Sequence, residues 1–252
     1  MKNNILFSLL LTFSLVCHGQ IGNSDGGQVV GGTSLGYIGG DHLPDAFLKS
    51  GKRTLKYEHI QGTPYIDNKQ EEQNAETIGK LYTSKGKYVN TFFMRYNGYT
   101  DNMELSLIDN GIDYFFLKKK PNSWYVVLGE NQYKCYEYYD NNQNKLGFFV
   151  VLSENSKEEY SLFRKEKVLF KPRVNEKNGF LSATPDRFVK GKNSYFLKYG
   201  DKMMKVPKNK KEFFKLFHTK QDLLKSYIKK NRYSTSNQKD LNAIVTYYNS
   251  II

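Results

Sequence analysis

Four histidines and two cysteines are the first candidates for chemistry in this chain, and their spacing argues against most of it. His18, His42, His59 and His218 stand alone, without a partner at metal-ligand spacing, so no metal centre and no cofactor is expected. A serine triad lacks an ordered histidine to act as base. Cys135 sits in the alternating run Tyr133 to Tyr138 with no histidine within reach in sequence to activate it, and reads as a small buried apolar residue. Two glycine-rich stretches miss the phosphate-loop pattern: Gly31 to Gly40 has no lysine, and Ser50-Gly51-Lys52-Arg53-Thr54 has no glycine five residues before Gly51. Paired carboxylates remain. Asp101 with Glu104 and Glu158 with Glu159 are the pairs a hydrolase of envelope polymers would use, which makes that enzyme the alternative reading.

The residues better suited to binding are aromatic and basic. Arg95 alternates with apolar neighbours two residues before Asn97-Gly98, where it can stack on an aromatic ring, pair with Asp101 or Glu104, or meet a ligand. Tyr96, Tyr99, Trp124, Tyr136 and Tyr138 belong to a dense aromatic set, and such amphipathic rings favour interfaces with a partner protein, a glycan or an apolar ligand. Between Lys198 and Asp240 thirteen basic residues face four acidic ones. Lys208, Lys210, Lys211, Lys215, Lys229, Lys230 and Arg232 fall there on the polar sides of helical patterns, and a concentrated basic surface suits anionic lipid or glycolipid. The whole chain carries a formal charge of +13, mostly from lysine, with abundant Asn, Ile, Tyr and Phe. That usage is typical of an AT-rich genome, so part of the basicity reflects composition.

The elements that must position these residues are mainly strands. Alternating runs recur from Lys80 to Lys171, separated by turn signals at Lys85-Gly86, Asn97-Gly98, Asn110-Gly111, Gly129 to Asn131 and Asp140 to Asn144. Asn97-Gly98 is the clearest of these, a dipeptide suited to a two-residue hairpin turn. No helical period intervenes, so an antiparallel β meander, barrel-like or a sandwich, is expected rather than parallel βαβ units. A further hairpin is expected about Gly200-Asp201. Beyond Pro207 the pattern becomes helical, with Thr219 and Asp222 resembling a capping box and Asn237 or Ser236 able to cap the last helix. The fold class is α+β, with the meander followed by a small C-terminal helical segment.

Four regions follow. Residues 1–19 combine Lys2, the apolar run Ile5 to Val16 and the small exit residue Gly19, the pattern of a signal peptide. Cys17 offers an alternative as a lipid attachment site, although Val16 is larger than the residue usual before an acylated cysteine. Residues 20–61 are glycine-rich and read as a flexible tether. Residues 62–206 form the β domain, and residues 207–252 the basic helices packed on it. Export places the protein in the periplasm, at the outer membrane or on the cell surface, where nucleic acid is not an expected partner.

The motifs Gly62-Thr63-Pro64-Tyr65, Met94-Arg95-Tyr96-Asn97, Gly147-Phe148-Phe149 and Tyr247-Tyr248-Asn249-Ser250 resemble those of an uncharacterised family of exported proteins from AT-rich Gram-negative bacteria. The resemblance spans residues 62–252. It implies export and a sheet-plus-helix fold, and it supplies no catalytic residue. The expectation is a non-enzymatic envelope protein, an accessory module that binds a partner or ligand and has a basic surface.

Overall fold

The computed structural model describes residues 48–52, 57, 59–66, 77–107, 113–175 and 183–252. The expected leader with Cys17 and the tether up to residue 47 lie outside them. Thirteen strands precede three helices in chain order. The strands are β1 (Leu48–Lys52), β2 (Thr77–Thr83), β3 (Tyr88–Asn97), β4 (Asn102–Ser106), β5 (Asp113–Leu117), β6 (Trp124–Leu128), β7 (Asn131–Asp140), β8 (Gln143–Ser153), β9 (Ser161–Lys165), β10 (Val168–Lys171), β11 (Arg187–Lys190), β12 (Ser194–Tyr199) and β13 (Lys202–Lys205). The helices are α1 (Lys210–Phe214), α2 (Gln221–Asn231) and α3 (Gln238–Ile251). None of the described helices is long and apolar enough to cross a membrane.

Eleven strands make one antiparallel sheet in the order β1-β5-β4-β3-β2-β6-β7-β8-β9-β12-β13, and its ladder stays open. The expected α+β class is the observed one. The meander is interrupted: after β5 the chain crosses back so that β6 pairs with β2, Tyr82 opposite Tyr125. Local alternation carries no record of such a return, because pairing partners are chosen by burial over the whole sheet. Strand β10 leaves the sheet to pair with β11 in a separate ribbon. Strand β1, inside the segment expected to be tether, pairs with β5.

Two faces of the sheet are buried in different places. Phe92, Met94, Tyr96, Met103, Leu105, Val126, Tyr133, Cys135 and Phe148 form one core over the first strands. Tyr136, Phe149, Phe163 and Phe196 form a second, with Tyr138, Val151 and Met203 at its margin. Neighbouring residues of β7 and β8 therefore serve opposite cores, and the uninterrupted apolar run Phe148 to Leu152 reflects burial on both sides. Helices α1 to α3 cover the exposed part of the first face over β9 and β12 through Leu162, Leu197, Phe213, Phe217, Leu224, Leu241, Ile244 and Tyr248.

Two turn expectations change. Asn97 pairs with Asn102, so Asn97-Gly98 opens a four-residue loop rather than a two-residue turn. The Asn97 side chain accepts from the backbone N–H groups of Tyr99 and Thr100, at 3.1 and 3.0 Å, and Asp101 supplies the left-handed residue at φ 57. Gly98 is needed for close approach instead: a Cβ there would come within 2.7 Å of Ile66 Cγ1 and 3.1 Å of Val168 Cγ2. At the helices, Asn237 caps α3 as expected, accepting from Lys239 and Asp240 N–H. Thr219 does not cap α2. Its N–H donates to the Tyr248 hydroxyl at 3.2 Å, and the N-cap position falls to Lys220 in a left-handed conformation with no side-chain cap bond.

Candidate functional site

Arg95 points from β3 to the face opposite Met94 and Tyr96, where its hairpin neighbours and the segment around Tyr65 bury it to 1% exposure. Its Nε donates to Glu104 Oε2 at 2.9 Å and its Nη2 lies 2.9 Å from the same oxygen. Asn97 Nδ2 donates to Glu104 Oε1 at 3.0 Å, and the Tyr65 hydroxyl donates to Oε2 at 3.2 Å. The guanidinium lies between the rings of Tyr65 and Tyr114, 4.1 and 4.0 Å from their centroids. The cross-strand register, Arg95 opposite Glu104, is what brings the pair together. Nη1 alone is buried without a hydrogen-bond partner. The arginine is thus a stacked, paired interior residue.

The turn ending in Asp101 reaches across to β8 and β9. Lys165 Nζ lies 2.6 Å from Asp101 Oδ1, and Lys119 Nζ lies 3.3 Å from Oδ2. Oδ1 also accepts from the Tyr96 hydroxyl at 2.7 Å and from the Phe148 N–H at 3.2 Å. Lys165 donates to the Phe148 carbonyl at 2.8 Å and sits over the ring of Phe149, 4.8 Å from its centroid. Gly147 makes this possible, since a Cβ there would fall 2.5 Å from Lys165 Nζ and 2.7 Å from Asp101 Oδ2. Burial holds the Lys165 ammonium below its usual pKa despite the opposing charge of Asp101. Burial first, then Asp101, raises the Tyr96 hydroxyl well above the phenolic range.

A third polar group ties sheet to helix. Tyr133 donates to Glu166 Oε2 at 2.8 Å, and Arg164 Nη2 lies 3.0 Å from Oε1. Arg164 also donates to Gln238 Oε1 at 2.9 Å and Asn131 Oδ1 at 3.1 Å, which links β9 to the first residue of α3.

The structure divides the residues chosen from sequence. Arg95, Tyr96, Trp124 and Tyr136 are interior, so they are not available as surface contacts. Trp124 donates its indole N–H to the Lys118 carbonyl, and Tyr136 donates to Glu154. Tyr138 is half-buried between Phe149 and Phe196. Only Tyr99 is exposed, beside Phe170 and Phe188. Alternation marked these rings as strand residues without saying which face each would take, and the two cores bury both faces. A further aromatic row on the sheet joins the exposed Tyr88 to the half-buried Tyr82 and Tyr125, with Lys134 5.5 Å from the Tyr125 centroid. Their cross-strand spacing was legible only once the β2–β6 pairing was known.

The carboxylates are committed elsewhere. Glu104 serves Arg95, and Asp101 serves Lys165 and Lys119 on the opposite side of the hairpin. Glu159 accepts from the Ser156 backbone in a surface turn. Cys135 is buried, and burial pushes its thiol up to about 12. Among the described residues no group of His, Cys, Asp and Glu could hold a metal ion. Lys208, Lys210, Lys211, Lys215, Lys229, Lys230 and Arg232 are all exposed. Of these Lys215 pairs with Glu212 at 2.8 Å. Leu223 of α2 is exposed as well. Comparison with family models, characterised proteins and solved structures finds no match to this chain.

Proposed function

We propose that this chain is a non-enzymatic, exported cell-envelope protein, an accessory module that binds a partner or ligand and rests its basic helical face on an anionic membrane or glycolipid surface. The observation that carries the reading is the exposed cation set on α1, α2 and their flanks, together with the exposed Leu223 of α2. Helices with lysines on the solvent side and an apolar residue among them adsorb to anionic headgroups through charge first and apolar contact second. The reading is also supported by the internal commitment of the acid and base groups, which leaves surfaces rather than a reaction centre. Export rests on the leader pattern, and the family resemblance is consistent with it.

Sedimentation with vesicles tests the surface. Binding to vesicles containing anionic lipid at low salt, lost at high salt and absent with neutral lipid, is the expected result. Each headgroup-facing lysine contributes about 1 kcal/mol, so Lys229→Glu with Lys230→Glu weakens adsorption by about 30-fold or more. Equal sedimentation with neutral and anionic vesicles overturns this reading.

A further inference from the structure

The ribbon of β10 and β11 stands outside the main sheet, and six cations lie on it and its flanks: Lys167, Lys171, Arg173, Arg187, Lys190 and Lys192, all exposed. None of the six joins an ion pair among the described residues. Asp186, the one acid of the described residues from 167 to 192, accepts from the Arg173 backbone N–H at 2.6 Å. The register sets Lys171 directly opposite Arg187. Like charges so placed repel across the ladder, a cost that an anionic partner relieves.

The outer end of the ribbon is covered on neither face. Leu169 and Phe170 are consecutive strand residues and point to opposite sides, yet each is 36% exposed, and exposure continues to Asn175. A bridge between Val174 and Thr184 prolongs the ribbon, and Val174 is exposed too. Tyr99 of the β3–β4 loop adds an exposed ring 6.4 Å from Phe170 and 5.3 Å from Phe188. The base is fixed, since Val168 is buried and its N–H donates to the Gly98 carbonyl at 3.0 Å, while the Gly191 N–H donates to the Lys167 carbonyl at 2.7 Å.

We propose that this ribbon is a membrane-contact element that sets Leu169, Phe170, Val174 and Tyr99 into the interface of an anionic bilayer, with the surrounding cations at the lipid phosphates. Cations beside exposed rings and aliphatic side chains match the charged headgroups and the acyl chains beneath them. Apolar side chains on both faces suit a medium that closes around the ribbon, whereas a protein surface or a glycan chain covers one face. The proposal rests on the reading of an envelope protein at an anionic surface, and it places a contact on elements other than α1 and α2.

A tryptophan at the tip reports the contact. Wild type contains one tryptophan, the buried Trp124, and serves as the blank for full-length Phe170→Trp. With phosphatidylglycerol vesicles the added emission is expected to shift to the blue and to be quenched by lipids brominated on their acyl chains; neither change is expected with phosphatidylcholine. Lys171→Glu replaces the like-charge pair with an opposite one, so it is expected to unfold no earlier in urea than wild type and yet to bind phosphatidylglycerol vesicles about 5-fold or more weakly. Sedimentation with anionic vesicles while the Phe170→Trp emission stays unshifted and unquenched overturns the ribbon contact and leaves the helical one. Quenching that persists, with binding undiminished, when Lys229→Glu and Lys230→Glu are added keeps the ribbon and overturns the helical contact. Retention on a phosphorylated glycan with no binding to either vesicle overturns both.

Discussion

At the scale of the residue, Arg95 shows how a side chain suited to a ligand is used up by the fold. A cation beside an aromatic strand face meets a ring or a carboxylate first, and here it meets Tyr65, Tyr114 and Glu104 at once. Such a buried pair adds little net stability over an apolar replacement, but breaking it leaves a charge in the interior. Glu104→Leu alone is therefore expected to cost about 3–5 kcal/mol in urea unfolding, whereas Arg95→Met combined with Glu104→Leu recovers most of that loss. Equal losses in the single and double variants would remove this account. Pairing of Arg95 with an acid across its own hairpin was legible in the sequence; the choice of Glu104 over Asp101 was not. Asp101 lies beyond the last paired residues, Asn97 and Asn102, and its left-handed backbone sends it towards β8 and β9.

At the scale of the element, local signals work where the element is settled by its own residues. Asn237 caps α3 because the oxygen it offers and the N–H groups that need it are within three residues. Thr219 offers an equivalent hydroxyl to α2, yet the Tyr248 hydroxyl takes its N–H and α2 begins one residue later on a strained Lys220. The end of α2 carries a second strained residue, Arg232 at φ 56, whose N–H donates to the Ile228 and Lys229 carbonyls. Glycine suits that place better, since a side chain in the left-handed region costs about 1 kcal/mol or more. Arg232→Gly is expected to raise stability by about 1 kcal/mol in thermal or chemical unfolding while weakening adsorption to anionic vesicles. A variant less stable than wild type would show that the arginine side chain contributes more through its surroundings than the backbone loses.

At the scale of the whole molecule, β13 comes back towards β7, two strands not paired in the sheet. Asp140 takes Lys205 at 2.9 Å and Lys145 at 3.3 Å, and the bond from Lys205, followed by that residue's charge and by Lys145, holds its carboxyl below the ordinary range. A carboxyl whose folded value is lowered stabilises the native state above its unfolded pKa, and the contribution disappears as pH falls through the folded value. The ammonium partners are partly exposed, so screening keeps the effect below about 1 kcal/mol. Asp140→Asn should thus lose up to that amount near neutrality and match wild type in strong acid; unfolding curves measured at both ends of the range compare the two. An equal difference at all pH values would assign the loss to packing instead.

The sequence by itself determined the strand positions from β2 to β10, the helical C-terminus, the α3 cap and the basic character of the last helices. Each rests on neighbours within a few residues, where alternation, helical spacing and capping act. Tertiary structure alone decided that β6 returns to β2, that both faces of β7 and β8 are buried, that most of the chosen aromatic residues face inward, and that Lys165 meets Asp101. Those outcomes depend on which apolar faces find one another across the chain, and a strand's alternation is the same whichever side is finally buried.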